Sequence, residues 1–138
     1  MAAKDEPAPL SAEAISAYRR TFLARLKRRR EEQEARRRRA QAAVMEVAPR
    51  ILANYPSVRR AYLFGSVTQP GAFHDASDVD IAVEGVATEA YFPLWRALEE
   101  ALPEWRIDLR DISSPFPFAD RVRRTGVLIY GNYSAVSF

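Results

Sequence analysis

Residues 62–84 read YLFGSVTQPGAFHDASDVDIAVE, and the order of residue types within this stretch sets the fold. Arg60 to Phe64 reads as a strand, with Ala61 and Leu63 on one face and Tyr62 and Phe64 on the other. Gly65-Ser66 stops it, and Gln69-Pro70-Gly71 is a strong turn signal. Val79 to Val83 is a second strand, closed by Glu84-Gly85. Residues i and i+2 of a strand point the same way. Asp78 and Asp80 therefore share one face, and Val79, Ile81 and Val83 share the other.

A third strand-like segment, Trp105 to Leu109, repeats the pattern. Arg106, Asp108 and Arg110 lie on one side, Ile107 and Leu109 on the opposite one. A sheet with helices on its aliphatic face buries Val79, Ile81, Val83, Ile107 and Leu109, and its other face gathers Asp78, Asp80 and Asp108. Carboxylates brought together repel and raise one another's pKa. A divalent cation resolves that conflict, and magnesium prefers hard oxygen ligands while keeping waters and substrate phosphates in its shell. Gly65 lets the backbone approach a phosphate, and Ser66 offers a hydroxyl and a backbone N–H. Three aspartates on strands beside a Gly-Ser turn point to a metal-dependent nucleotide site.

The surrounding chain supplies helices. Ser11 is a candidate N-cap with Glu13 in the first turn, and Ile15, Tyr18, Phe22 and Leu26 follow at helical spacing. From Lys27 to Arg39 the stripe vanishes, leaving good helix formers that are polar all round. Ala40, Val44, Val47 and Ile51 restore a stripe before Pro56, and Pro49 falls near its end, where a proline kinks or stops a helix. The expectation is one long helix, or two with a break near 27–39. Thr88 is a candidate cap for a helix over about 89–102 with Phe92, Trp95, Leu98 and Leu102 as its buried face. Phe118 to Arg124 reads as a short helix, and Val127 to Tyr130 as an edge strand. The domain expectation is a disordered leader over 1–10, an N-terminal helical extension over 11–55 and a core over 56–138.

The 138 residues suit a single domain. Cysteine is absent and His74 is the single histidine, so thiolate and multi-histidine metal sites are excluded. His74 falls in a turn and is read as a solvent-facing residue without a catalytic role. No run approaches the roughly eighteen apolar residues of a membrane span, and the start, MAAKDEPAPL, lacks an apolar signal core. The expectation is a cytoplasmic protein with no membrane partner. The net charge of +3 is uneven: residues 19–39 hold eleven Arg or Lys against Glu31, Glu32 and Glu34, a net of +8, whereas 50–138 hold nine basic and eleven acidic residues, a net of −2. The basic run reads first as a solvated connecting helix and second as a partner-protein surface. Nucleic-acid binding through 19–39 is possible but not favoured, because no aromatic residues are interleaved to stack bases.

Gly65-Ser66, Asp78-x-Asp80 and the distant Asp108 resemble the signature of the polymerase-beta-like nucleotidyltransferase superfamily, and most of all its small, single-domain minimal members. The resemblance covers about residues 45–130. It implies an α/β fold like a polymerase palm, a mixed sheet covered by helices on one face, here preceded by a long Arg-rich helix. By the same resemblance Asp78 and Asp80 would bind two Mg²⁺ ions. Asp108 would complete one metal site and act as base or orient the attacking hydroxyl. Gly65 and Ser66 would hold the phosphates of a nucleoside triphosphate, ATP in the family precedent.

Many such proteins are encoded beside an all-helical HEPN protein as antitoxin to a HEPN toxin. The resemblance therefore implies a HEPN-family partner, a hetero-oligomer or homodimer, and AMP transfer to a tyrosine of that toxin. A catalytically weak antitoxin acting by occlusion, and an RNA-directed enzyme or RNA-binding protein, are the alternatives. Gln69-Pro70-Gly71 stands where many members carry an Arg-Gly pair, and Arg59, Arg60 or an N-terminal arginine is the expected substitute.

Overall fold

A computed structural model describes residues 8–132. Residues 1–7, which hold most of the expected leader, and residues 133–138 lie outside the described residues. By their contacts the chain divides into one unit ending at Glu32 and another beginning at Gln33. A single helix, α1 (Ala12–Leu52), runs through both.

In the first unit the Ser11 Oγ accepts the Ala14 N–H at 3.1 Å, the capping bond its position suggested. Ile15, Tyr18, Phe22 and Leu23 are exposed. The Lys27–Glu31 pair at 4.0 Å is exposed on both sides and adds little to stability.

In the second unit, α1 is followed by β1 (Arg60–Phe64), β2 (Val79–Glu84), α2 (Tyr91–Ala101), β3 (Ile107–Asp111), α3 (Pro117–Thr125) and β4 (Val127–Tyr130). The strands form one sheet in the order β3-β2-β1-β4. β1 is antiparallel to both β2 and β4, and β2 is parallel to β3, so the sheet is mixed. The parallel pair requires a crossover, which α2 provides.

Side-chain alternation sorts the two faces as the sequence predicted. Ala61 and Leu63, Val79, Ile81 and Val83, and Ile107 and Leu109 are all buried in one cluster with Ala40, Val44, Ala48 and Leu52 of α1 and Leu94 and Leu98 of α2. On the opposite face Tyr62, Ala82 and Ile112 pack with Ala119 and Val122 of α3. Thus α1 and α2 cover one face, and α3 covers part of the other.

Of the two readings of α1 the single long helix holds, with no break at 27–39 or at Pro49, and three other expectations are corrected. Proline removes only the bond from position 49 to the Met45 carbonyl, and Met45 is exposed. The run 27–39 is not polar and solvated throughout: Arg37 is only 8 % exposed, and Gln33, Glu34 and Arg36 are partly buried. On α2, Phe92 is 71 % exposed and Leu94 takes the buried position. Tyr91, Leu94, Trp95, Leu98 and Leu102 make the packed stripe, so the true face is rotated by about one residue from the expected one. Thr88 opens a short 3₁₀ turn (Thr88–Ala90) rather than capping α2.

β3 is an edge strand whose outer carbonyls are covered by side chains. The Trp95 indole N–H donates to the Ile107 carbonyl at 2.8 Å, and the Tyr91 hydroxyl donates to that of Leu109. An edge so occupied is closed to a further strand.

Candidate active site

Gly65 begins a 3₁₀ turn, Gly65–Thr68, at the end of β1. Its φ of +75° lies in the left-handed region, which glycine adopts without a Cβ penalty. A Cβ here would overlap the Asp80 carboxylate. The glycine is thus required twice, by its backbone angle and by the acid beside it. The Thr68 Oγ1 donates to the Gly65 carbonyl at 2.8 Å, and the Gln69 N–H donates to the Ser66 carbonyl at 3.0 Å, so the turn is closed on itself. Ser66 is partly exposed on it.

Strand register brings the acids to this turn. Phe64 is the cross-strand neighbour of Asp80, and Asp80 is the neighbour of Asp108 on the parallel strand. Asp78 lies just before β2, where its carboxylate receives the Arg106 Nε–H at 2.5 Å. Arg106 also donates to the Ala76 carbonyl at 2.9 Å. Arg110 donates to Asp108 through Nε and Nη2, both at 3.3 Å. Arg106 and Arg110 therefore flank the acids on β3, on the face that alternation assigned them. Arg60, one of the expected basic substitutes, is instead at the other end of β1. It pairs with Glu84 at 2.7 Å, four residues and roughly 13 Å along the strand from the Asp80 position.

Asp80 carries the electrostatic cost of this grouping. Burial pushes its carboxyl up to about 6, helped by the charges of Asp108 and Asp78 and a hydrogen bond with Asp108, while the Arg110 charge works against the rise. A carboxylate held so far above its usual range by burial and like charges marks a functional site more often than a structural one.

A hollow of about 250 Å³ opens at the pair, lined by Phe64, Asp80, Asp108, Arg110 and Phe118. Phe64 and Phe118 meet edge to face with ring centroids 5.5 Å apart. Sequence reasoning passed over both rings. The signal for Phe64 was present, since it shares the outward face of β1 and directly precedes Gly65. Nothing local marked Phe118. A larger, shallow hollow of about 510 Å³ on α2, between Phe92, Pro93, Arg96, Ala97 and Glu100, meets neither the aspartates nor the glycine turn. Asp80 and Asp108 line the smaller one. His74 is exposed, and its backbone N–H donates to the Ser77 Oγ at 2.8 Å.

The donor set fits a hard divalent cation. Asp80 and Asp108 present oxygen ligands from adjacent strands, and the raised Asp80 carboxyl is the group that a nearby cation would relieve. Among the described residues no three acidic or imidazole side chains stand as a finished metal shell. Asp78 pairs with Arg106 and Asp108 with Arg110.

A mixed sheet with a Gly-Ser turn set against strand-borne aspartates defines a nucleotidyltransferase-type domain. The family model described as "Polymerase beta, Nucleotidyltransferase" matches residues 47–134, more than half of the chain. The chain belongs to this family. Among solved structures it is similar to a toxin–antitoxin crystallised with AMP-PNP, at 32% identity and a TM-score of 0.51, over 60% of this chain and 69% of that one. It is also similar to a mutant MntA–HpeT toxin–antitoxin, at 28% identity and a TM-score of 0.50, with the same coverage. No curated protein sequence matches it. Among the described residues no helix is long and apolar enough to cross a membrane.

Proposed function

We propose that this protein is a Mg²⁺-dependent nucleotidyltransferase that moves NMP, most readily AMP, from a nucleoside triphosphate to a hydroxyl on a partner protein. The partner is a HEPN toxin and the acceptor a tyrosine. The observation that carries the reading is the pairing of Asp80 with Asp108 across β2 and β3, directly against Gly65. The likeness to a toxin–antitoxin solved with AMP-PNP supports ATP as the donor and a toxin as the acceptor.

Asp78, Asp80 and Asp108 would hold two Mg²⁺ ions, which when bound supply charge neutralisation for the attacking and leaving oxygens of an in-line displacement. The chain's own groups do the rest. The Gly65–Ser66 backbone and the Ser66 hydroxyl bind the β- and γ-phosphates. The acceptor oxygen bonds to the α-phosphorus, the bond from that phosphorus to the pyrophosphate oxygen breaks, and pyrophosphate leaves with both electrons. The acceptor proton passes to Asp108 or to solvent as Asp108 orients the hydroxyl. Phe64 and Phe118 wall the hollow beside Asp80 and Asp108 with apolar surface.

The test is to incubate the protein with its co-encoded neighbour, Mg²⁺ and each labelled NTP, then to measure the intact mass of both chains. A gain of one or more NMP units on the neighbour is expected, with ATP the best donor. A tight complex with no mass change favours the second reading, an antitoxin that acts by occlusion. That reading has one observation of its own: the Asp78 and Asp108 carboxylates accept hydrogen bonds from Arg106 and Arg110.

A further inference from the structure

The turn that carries Gly65 and Ser66 continues through Val67 to Ala72 without entering a strand. Bonds of its own include Thr68 to Gly65, Gln69 to Ser66 and Ala72 to Gln69. The Arg-rich part of α1 adds bonds from outside it.

Arg37 is the buried member of that run. Its Nη1 donates to the Val67 carbonyl at 3.2 Å and to the Gln41 Oε1 at 3.2 Å. Its Nε donates to both Glu34 oxygens, at 3.1 and 3.0 Å, and its Nη2 donates to Glu34 Oε1 at 2.5 Å. The Arg37 hydrogen bonds hold the Glu34 carboxyl below its usual range, and the Gly71 backbone N–H that it faces adds to this. One ion pair, i to i+3 on a single helix, therefore bonds the segment at Val67 and faces it at Gly71. Arg36 adds a third point, its guanidinium 4.7 Å from the centre of the Trp105 ring. That ring meets Phe73, the residue after the segment, with centroids 6.2 Å apart.

We propose that the Glu34–Arg37 pair is a positioning device that sets the Gly65–Ser66 turn for the phosphates of its nucleotide. This rests on the nucleotidyltransferase reading above. The pair touches no substrate; it acts through Val67 and Gly71. A planar guanidinium suits the task because it engages a carboxylate and a carbonyl together, which a lysine ammonium on a flexible stem does less well. The arginine run thus has two parts, one exposed and one bonded to the segment that follows Ser66. An arginine fixed under the phosphate-binding segment also gives Gln69-Pro70-Gly71 a rigid base.

The experiment uses the full chain and AMP-PNP as probe. Arg37→Met keeps the buried stem and removes the fork. Glu34→Gln keeps the shape and removes the charge, and it serves if Arg37→Met does not fold. Arg37→Lys tests the fork itself, and Arg39→Met is a charge-matched control on the exposed side. The expected result is a rise of about tenfold in the AMP-PNP Kd and in the KM for ATP, the scale of one charge-assisted hydrogen bond. kcat should stay within about threefold, since the reacting groups are untouched. Arg37→Lys should recover part of the affinity, and Arg39→Met should match wild type. Amide exchange over 65–72 should accelerate in the Arg37 and Glu34 variants while β1 and β2 keep their protection. Unchanged AMP-PNP affinity in a folded Arg37→Met protein overturns the positioning role alone. A wild-type protein with no affinity for AMP-PNP overturns this inference and the nucleotidyltransferase reading together.

Discussion

Gly65 stands so close to Asp80 that any Cβ at position 65 would overlap the Asp80 carboxylate. The Gly65 turn and β2 are therefore packed against each other at Asp80, with no room for a side chain between them. Gly65→Ala meets two penalties. The left-handed φ costs roughly 1–2 kcal/mol for an L-residue, and the methyl must also displace Asp80. The variant should lose at least that stability in urea unfolding and should bind AMP-PNP far more weakly. A variant with wild-type affinity would show that the turn and the acid are not coupled.

Asp80→Asn should separate function from stability. The folded state raises this carboxyl to about 6, above the unfolded value near 3.9. A raised carboxyl means that the folded protein holds its proton more tightly, so ionising Asp80 costs stability as pH rises from about 4 through 6. Asn carries no such cost. The variant should be more stable than wild type at pH 8, and the gain should shrink to nothing near pH 4. Metal-dependent transfer should be abolished. Equal melting temperatures at pH 8, or retained transfer, would contradict the assignment of Asp80.

How much of this was legible follows from which interactions are local. Period two placed Asp78, Asp80 and Asp108 on one face and the aliphatics on the other, because alternation in a strand is fixed by the backbone itself. The glycine turn was visible for the same reason. Phe92 was misread because Tyr91, Leu94, Trp95 and Leu98 form an overlapping stripe, and only the sheet beneath α2 decides between them. Arg36 and Arg37 were read as solvated because charge usually means solvent. Their partners, the Trp105 ring and the Val67 carbonyl, lie far along the chain, and an arginine stem can be buried while its fork finds a distant acceptor. No window of sequence shows that.

The edge of the sheet offers a simpler test. Tyr91→Phe removes the donor to the Leu109 carbonyl and keeps the ring that meets Trp95 with centroids 5.8 Å apart. The loss should be about 1 kcal/mol, the net worth of one hydrogen bond. Since Leu109 follows Asp108 on β3, amide exchange along β3 should quicken in the variant. An unaltered unfolding midpoint would mean that water replaces the hydroxyl without cost.

Glu84, at the end of β2 remote from Asp80, is the one carboxylate among the described residues that is buried, at 1 % exposure. Burial alone would raise its carboxyl. Hydrogen bonds from Arg123 at 2.5 Å and Arg60 at 2.7 Å reverse that and hold it below the usual glutamate range. Arg123 also donates to the Ile112 carbonyl at 2.6 Å, so the cluster ties α3 to β1, β2 and the strand exit of β3. Glu84→Ala leaves two arginines facing each other without their acid. Breaking a buried pair in this way costs about 3 kcal/mol or more. The pH dependence runs opposite to that of Asp80: a depressed carboxyl contributes stability above the unfolded pKa, and that stability is lost as pH falls through the folded one. Wild type should therefore lose stability on acidification below about pH 4, and Glu84→Ala should lose less over the same range. Activity is the control. Because Glu84 lies apart from the Asp80–Asp108 pair, the folded fraction of Glu84→Ala should transfer NMP at the wild-type rate, and a lower rate per folded molecule would place the cluster in the chemistry after all.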